Sequence, residues 1–286
     1  NAGRIDCIFL DFRKAFDTVS HSLLLNKLRM LNIDSAVFRW IENYLFQGRQ
    51  CVVLNGKKSD YVDVTSGVPQ GSFLGPLLFL IYINDISVGI SSCIRLFADD
   101  CVVYRKIKSS DDVAQLQVDL DRIHSWCSTW KMNLNHKKCV NLCFTKKRKQ
   151  IESQYFININ PITKELTYKY LGVILSSDCS WNAHIEEVVL KAGRAINFIQ
   201  RNLKCSQPNL KTTAYLTCVR PILEYACAVW DPAQKTLIDK LEKIENRAAR
   251  FVLGRYGRKE SCTEMKKKNV KLGTTFRTSG KTATKI

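Results

Sequence analysis

Carboxylates at two places in this sequence have the setting that metal binding requires. Asp11 closes the apolar run Ile5-Asp-Cys-Ile-Phe-Leu10, and Asp99 and Asp100 stand side by side between Leu96-Phe97-Ala98 and Cys101-Val102-Val103. Adjacent carboxylates flanked by apolar strand formers repel each other and have no counter-ion close by in sequence. A divalent cation removes that conflict. Phosphoryl transfer to a 3′-hydroxyl needs two metals a few ångströms apart, and hence carboxylates converging on one point. Strand ends and tight hairpins hold such groups rigidly, because sheet hydrogen bonds fix the backbone around them. An Asp-Asp turn by itself is an ordinary hairpin feature. Here it is accompanied by Phe16, five residues after Asp11, and by Ser66-Gly-Val-Pro-Gln-Gly71 between the two acidic places.

The elements that must position these groups follow from periodicity. Arg4 to Leu10 reads as a buried strand, and Ile94 to Tyr104 as two short strands about Asp99-Asp100. Ser22–Leu31 and Ala36–Phe46 have helical spacing of apolar residues. Gln50–Leu54 and Tyr61–Val64 are expected to pair about Asn55-Gly56, a strong turn signal. A loop from Ser66 to Pro76 leads into the apolar helix ending at Ile83. A further helix spans Asp111–Trp130, begun by Ser109 and its neighbours as caps. Leu171–Leu175 reads as a strand and Trp181–Asn202 as a helix. The last long helix buries Leu237, Leu241, Ile244, Ala248 and Phe251, with Lys240, Lys243, Arg247 and Arg250 largely off that face. Lys146–Lys149 reads as a basic surface loop.

The net charge of +18 is unevenly placed, since residues 1–100 are neutral and the whole excess lies beyond them. A basic surplus confined to one part of a chain implies a polyanion partner, most simply nucleic acid. Twelve cysteines without CxxC pairs read as reduced, buried thiols of an intracellular protein, nuclear or cytoplasmic and not secreted. His124, Cys127, His136 and Cys139 have zinc-like spacing, but Cys127 continues the apolar series Leu116, Leu120, Ile123 and reads as core. The longest apolar run, Pro76–Ile83, is too short to span a bilayer. The chain opens at Asn1 on the way into a core strand, which marks it as a piece of something longer.

In chain order, Phe9-Leu-Asp-Phe-Arg-Lys-Ala-Phe-Asp17, Ser66-Gly-Val-Pro-Gln-Gly-Ser-Phe-Leu-Gly-Pro76, Phe97-Ala-Asp-Asp100, Leu134-Asn-His-Lys-Lys138 and Tyr170-Leu-Gly-Val173 resemble the motif blocks of reverse transcriptases, in particular those of non-LTR retrotransposons. The resemblance implies an α/β right-hand fold: a palm over 1–175 with an antiparallel sheet packed on helices, and a helical thumb-like region over 176–254. Beyond Gly254 the sequence loses periodicity and is strongly basic, which reads as a disordered tail over 255–286. The resemblance also implies two Mg2+ ions, with Mn2+ as a substitute, held by Asp11 and Asp99 with Asp100 beside them and the Phe12 carbonyl as a further ligand. Backbone amides near Lys14 and Ala15 would face the triphosphate, and Phe16 would be the steric gate against a ribose 2′-hydroxyl. Gln70 and Gly71 would bear on the incoming nucleotide and template. Lys138 would act as general acid toward pyrophosphate, with adjacent Lys137 as the alternative. Leu171 and Gly172 would form the primer grip, and Lys240, Lys243, Arg247 and Arg250 a nucleic-acid backbone face. The implied partners are an RNA template, a DNA primer and dNTPs, with no membrane.

The family's fingers segment, endonuclease domain and zinc knuckle have no counterpart in these residues, and the tail departs from the family's helical pattern. Two other readings stay open on the residues. One is a group II intron or retron-type enzyme, which shares the acidic block. The other is a degenerate, non-catalytic nucleic-acid-binding remnant, which needs no metal.

Overall fold

The computed structural model describes residues 3–46, 48–146 and 151–257. Lys147–Lys149 of the expected basic loop, and the expected tail from residue 258 onward, lie outside these. The chain divides into two compact units between Leu166 and Thr167.

The first unit is built about β1 (Arg4–Leu10), the central strand of a five-stranded sheet. Two helices follow it, α1 (His21–Met30) and α2 (Ser35–Phe46). Next come the short strands β2 (Arg49–Gln50), β3 (Val53–Leu54), β4 (Lys57–Lys58) and β5 (Val62–Asp63). The expected single hairpin is two nested pairings: β3 with β4 across Asn55-Gly56, and β2 with β5 farther out. Both turn residues have positive φ, 50° and 78°, as a two-residue turn of this hand requires. The apolar helix α3 (Leu74–Ile83) starts two residues before Pro76, which occupies its first turn without losing a helical bond.

Then come β6 (Cys93–Phe97), β7 (Asp100–Ile107), α4 (Ser110–Thr129) and β8 (Val140–Thr145). The small strands β9 (Phe156–Ile157), β10 (Asn160–Pro161) and β11 (Thr163–Glu165) close the unit. Sheet order is β11-β8-β1-β7-β6, antiparallel except for the parallel pair β11–β8. Ile8, Leu10, Val103, Leu24, Leu28, Leu78, Phe79, Leu116 and Ile123 join sheet and helices in one core. At its edge Lys27 is buried beneath aromatic rings, its ammonium 3.6 Å from the Trp130 centroid and bonded to Asp85 at 2.5 Å. Burial lowers the pKa of that ammonium and Asp85 opposes the shift.

Asp6, on the central strand, is fully buried and held by Arg4 at 2.7 and 2.6 Å and by the Tyr155 hydroxyl at 2.8 Å. Burial alone would raise its carboxyl pKa, but Arg4 and Tyr155 outweigh burial and leave it below the ordinary value. The contribution of this cluster is therefore full above the unfolded carboxyl pKa of about 3.9 and is lost as pH falls toward the lower folded value. Asp6→Asn is expected to destabilise the fold by about 3–5 kcal/mol, because Arg4 remains buried without its partner. Urea unfolding near neutral pH measures this, and a loss under about 1 kcal/mol would remove the cluster from the account of stability.

The second unit opens with the hairpin β12 (Thr167–Tyr170) and β13 (Val173–Ser176). The expected strand Leu171–Leu175 is corrected here. Leu171 and Gly172 are the turn of that hairpin, with φ of 46° and 82°, and only Val173 onward is strand. Helices α5 (Asn182–Asn202), α6 (Pro208–Cys218), α7 (Arg220–Glu224), α8 (Cys227–Trp230) and α9 (Lys235–Leu253) follow. Ile185, Ala192 and Ile196 of α5 meet Leu237, Leu241 and Ala248 of α9 in a second core around Tyr215 and Trp230.

Cysteine burial is mixed rather than uniform. Cys7, Cys101, Cys127, Cys139 and Cys143 are buried, whereas Cys93, Cys179, Cys205 and Cys218 are exposed. The buried five lie on the central strands, on α4 or beside β8. Cys93 begins an edge strand, which has only one flank to hide it.

Candidate active site

The acidic residues meet at one end of the first unit's sheet. Asp11 follows directly on β1, and Asp100 begins β7, its neighbour. Leu10 pairs with Cys101, so one step farther along this antiparallel register Asp11 stands level with Asp100. Asp99 lies in the two-residue turn between β6 and β7, where Phe97 pairs with Asp100. The first residue of that turn, Ala98, has a φ of 51°. A left-handed conformation costs a residue with a Cβ about 1–2 kcal/mol, and the paired strands on either side impose it here.

Burial and charge crowding meet at Asp100. Burial first, then the charges of Asp99 and Asp11, raise its carboxyl pKa above the ordinary value. Lys138 forms an ion pair with Asp11, its Nζ 3.8 Å from Oδ2. Lys138 is brought there by a turn in which its N–H and that of Cys139 both donate to the Asn135 carbonyl, while the Asn135 N–H donates to the Asp11 carbonyl at 2.7 Å. Lys137 makes no ion pair with these carboxylates among the described residues.

Among the described residues no three His, Cys, Asp or Glu side chains already enclose a metal position. The donor set is nonetheless the one hard divalent cations take, carboxylate oxygens with a carbonyl beside them. Phe12 bridges Leu134, but the bonds flanking that bridge use the Asp11 carbonyl and the Arg13 N–H. The Phe12 carbonyl is not drawn into them. Residues and chemistry therefore fit a divalent ion, and the repulsion at Asp100 is what such an ion relieves.

Beyond Phe12 the chain turns sharply at Lys14, whose φ is 52° and whose carbonyl accepts from the N–H groups of Asp17 and Thr18. The amides of Lys14 and Ala15 donate to no backbone carbonyl of the described residues. Phe16 is half-buried and stacks on Phe79 of α3, centroids 4.3 Å apart and planes 20° apart. Phe79 is itself fully buried, so the Phe16 ring rests on a fixed platform.

The Ser66–Pro76 loop is laced to this turn. Gly67 N–H donates to the Val19 carbonyl and Val68 N–H to the Phe16 carbonyl, both at 2.8 Å. The Ser66 hydroxyl donates to the Asp17 carbonyl at 2.9 Å, and Gln70 Nε2 donates to Asp17 Oδ1 at 3.2 Å. A Cβ on Gly67 would meet the Asp17 backbone at 2.9 Å, so only glycine allows this approach. A Cβ on Gly71 would meet nothing within 4 Å, which leaves its backbone facing open space. Asp17, Ser66 and Phe79 carry this arrangement, and the sequence assigns none of them a role. Their partners are distant in the chain, and only the glycine and proline content of the loop hinted at a close approach.

In the second unit, the Leu171 carbonyl accepts from the Tyr225 hydroxyl at 2.9 Å. A Cβ on Gly172 would lie 3.0 Å from that ring. The four cations expected on α9 differ from one another. Lys240 is paired with Glu186 at 2.8 Å. Arg247 donates to Gln200 Oε1 at 2.8 Å and to Asn197. Lys243 and Arg250 make no ion pair among the described residues.

Residues 2–175 match the family described as reverse transcriptase (RNA-dependent DNA polymerase). The chain is 32% identical over 257 residues to a probable RNA-directed DNA polymerase from transposon X-element of Drosophila melanogaster, covering 86% of this chain and 28% of that protein. It is 30% identical over 263 residues to the RNA-directed DNA polymerase from mobile element jockey of Drosophila funebris, with the same 86% and 28% coverage. The chain thus spans under a third of the length of these relatives. Among solved structures, telomerase from Candida tropicalis in complex with a fragment of telomeric RNA aligns over 96% of this chain and 50% of its own, with a TM-score of 0.47 and 9% identity.

Proposed function

We propose, from the premise that this chain belongs to the reverse transcriptase (RNA-dependent DNA polymerase) family, that its first acidic sheet end performs RNA-templated extension of a DNA primer for a non-LTR mobile element. The observation that carries this is the meeting of Asp11, Asp99 and Asp100 at one end of the sheet, with Lys138 against Asp11. In this reading residues 1–175 are the palm and 176–254 a thumb-like region, with 255–286 as a basic tail.

Asp11 and Asp99 would hold two Mg2+ ions, or Mn2+ in their place, with Asp100 and the Phe12 carbonyl adjoining. When bound, such ions activate a primer 3′-hydroxyl and offset the charge of departing pyrophosphate. The chain's own groups do the rest. The amides of Lys14 and Ala15 orient the triphosphate, as exposed N–H groups at a turn can. Phe16 excludes a 2′-hydroxyl by volume, held in place by Phe79. Gln70 and Gly71 border the nucleotide and template, where the bare Gly71 backbone allows a base pair to come close. Lys138 Nζ, charged beside Asp11, hands a proton to the leaving pyrophosphate oxygen. Leu171 and Gly172 contact the primer, and Lys240, Lys243, Arg247 and Arg250 the nucleic-acid backbone.

The similarity to mobile-element polymerases favours this over an intron or retron enzyme, and the complete carboxylate set favours it over a binding remnant. The test is incorporation of dTTP on poly(rA)/oligo(dT). Extension that requires Mg2+ or Mn2+ and stops when a chelator is added is expected. Binding of the hybrid without incorporation under either ion would leave the remnant as the better reading.

A further inference from the structure

We propose that the second unit holds a phosphate-binding cavity between α5 and α9, with Tyr256 beside it as a stacking surface for an unpaired base, so that the pair accepts one nucleotide of a single strand. The inference rests on the reading that this chain handles nucleic acid, and it narrows that reading to a defined site.

Helix α9 has two faces. Its apolar stripe is buried against α5 and α6, and on another side Lys243, Asn246, Arg247 and Arg250 recur at the three- and four-residue spacing that aligns side chains along a helix. With Gln200 of α5 and Tyr256 they line a cavity of about 510 Å3, within the range of small-ligand sites. Three of the six lining residues are cations, and none is a carboxylate.

The partners available to these cations do not neutralise them. Arg247 is held by the amide oxygens of Asn197 and Gln200, which orient its guanidinium while leaving its charge intact. Arg250 Nε is buried and donates to nothing among the described residues, and a buried donor without an acceptor is costly enough to be rare. Lys243 has no ion-pair partner among the described residues. Lys240, one turn earlier, is matched by Glu186 and does not line the cavity. An anion with several acceptor oxygens and a fork-compatible shape, a phosphate group, satisfies all three at once.

The position of Tyr256 favours a polynucleotide over a free anion. Gly254 ends α9 in the left-handed conformation, φ 65°, and the Arg255 N–H returns to the Arg250 carbonyl at 3.1 Å. This reversal sets Tyr256 on the cavity wall with its side chain largely exposed. An exposed aromatic next to a phosphate site is the arrangement that stacks the unpaired bases of single strands, and a base already in a duplex is not free to use it.

The experiment is fluorescence anisotropy of a labelled oligouridine of about 12 nucleotides with the full chain, in chelator and without dNTPs, across a salt series. The double variant Lys243→Gln/Arg250→Gln is expected to bind about tenfold more weakly. Its log affinity against log salt should be shallower by about 1.4, two single-strand phosphate contacts at about 0.7 each. Tyr256→Ala is expected to lose about tenfold with the slope unchanged, since stacking releases no counterions. Lys191→Gln, a charge loss elsewhere on α5, should stay within about twofold, and circular dichroism confirms that each variant is folded. Unchanged affinity and slope in the double variant overturn the site. Displacement by tripolyphosphate at matched phosphate concentration, with Tyr256→Ala silent, overturns the polynucleotide assignment in favour of a free anion. Because no metal or nucleotide is present, a chain that gives this binding signature but never extends a primer overturns only the polymerase reading.

Discussion

Asp11→Asn is expected to lower the rate of primer extension on the order of 10³-fold or more while leaving the chain folded. Asparagine is nearly the same size and can keep its place at the end of β1, so the sheet register from Arg4↔Ile107 to Leu10↔Cys101 has no reason to change. What it loses is a charged oxygen for a divalent ion. Stabilisation of that kind is worth several kcal/mol in a transition state, and each ~1.4 kcal/mol is a tenfold change in rate. A second readout separates this from simple damage. Three carboxylates share this sheet end, and Asp100 is raised in pKa partly by the Asp11 charge. Burial and Asp99 still raise the Asp100 pKa in the variant, but removing the Asp11 charge relieves part of the repulsion, and the metal-free protein should be no less stable than the parent. Stopped-flow single-nucleotide addition and thermal unfolding in chelator measure the two effects. A variant that keeps more than about a tenth of the parent rate would remove Asp11 from the metal site.

Phe16→Ala is expected to raise ribonucleotide incorporation relative to deoxyribonucleotide on the order of 10²-fold. Rejection by shape depends on a wall that does not yield, and the Phe16 ring is backed at 4.3 Å by Phe79, which is fully buried in the core. Taking the ring away opens room for a 2′-hydroxyl without adding any group to bind it, so the gain should lie in the ribonucleotide efficiency. Differences of one small group in a shaped pocket typically amount to 10–200-fold. Competing rUTP and dTTP on the same template gives the ratio directly. If Phe16→Ala leaves that ratio unchanged, the ring is only part of the core. Phe79→Ala should move the ratio in the same direction, since the platform goes with it, but at a stability loss of about 3–5 kcal/mol.

The acidic site was legible because its signals are local. Apolar runs that stop on Asp11 and turn at Asp99 announce strand ends without reference to any other part of the chain. What joins those ends was not legible. β8 went unread because Val140–Thr145 is short and carries the buried polar Asn141, and its strand identity comes from pairing with β1, far away in sequence. With β8 unread, the approach of Lys138 to Asp11 could be suggested only by family resemblance. The turn at Leu171-Gly172 was misread for a related reason: leucine disfavours the left-handed conformation it adopts there, so a local reading continues the strand. Lacing of the Ser66–Gln70 loop to Val19 and Phe16 is likewise a matter of backbone groups meeting across a distance, which side-chain periodicity does not encode. On α9 the cations were visible, but their separate partners were not, because Glu186 and Gln200 come from another helix.

The central place of β1 in the sheet has a consequence for how the protein is made. β1 is synthesised before both strands that flank it, and β7 and β8 leave the ribosome on the order of ten seconds later at ordinary elongation rates. Through that interval Ile8, Phe9 and Leu10 lack the two strands that pair with β1, and the early helices α1 and α2 can shield only one side of it. An unpaired apolar strand of this kind invites pairing with other nascent chains. The segment that carries Asp11 therefore depends on strands far along the chain for its protection against mispairing.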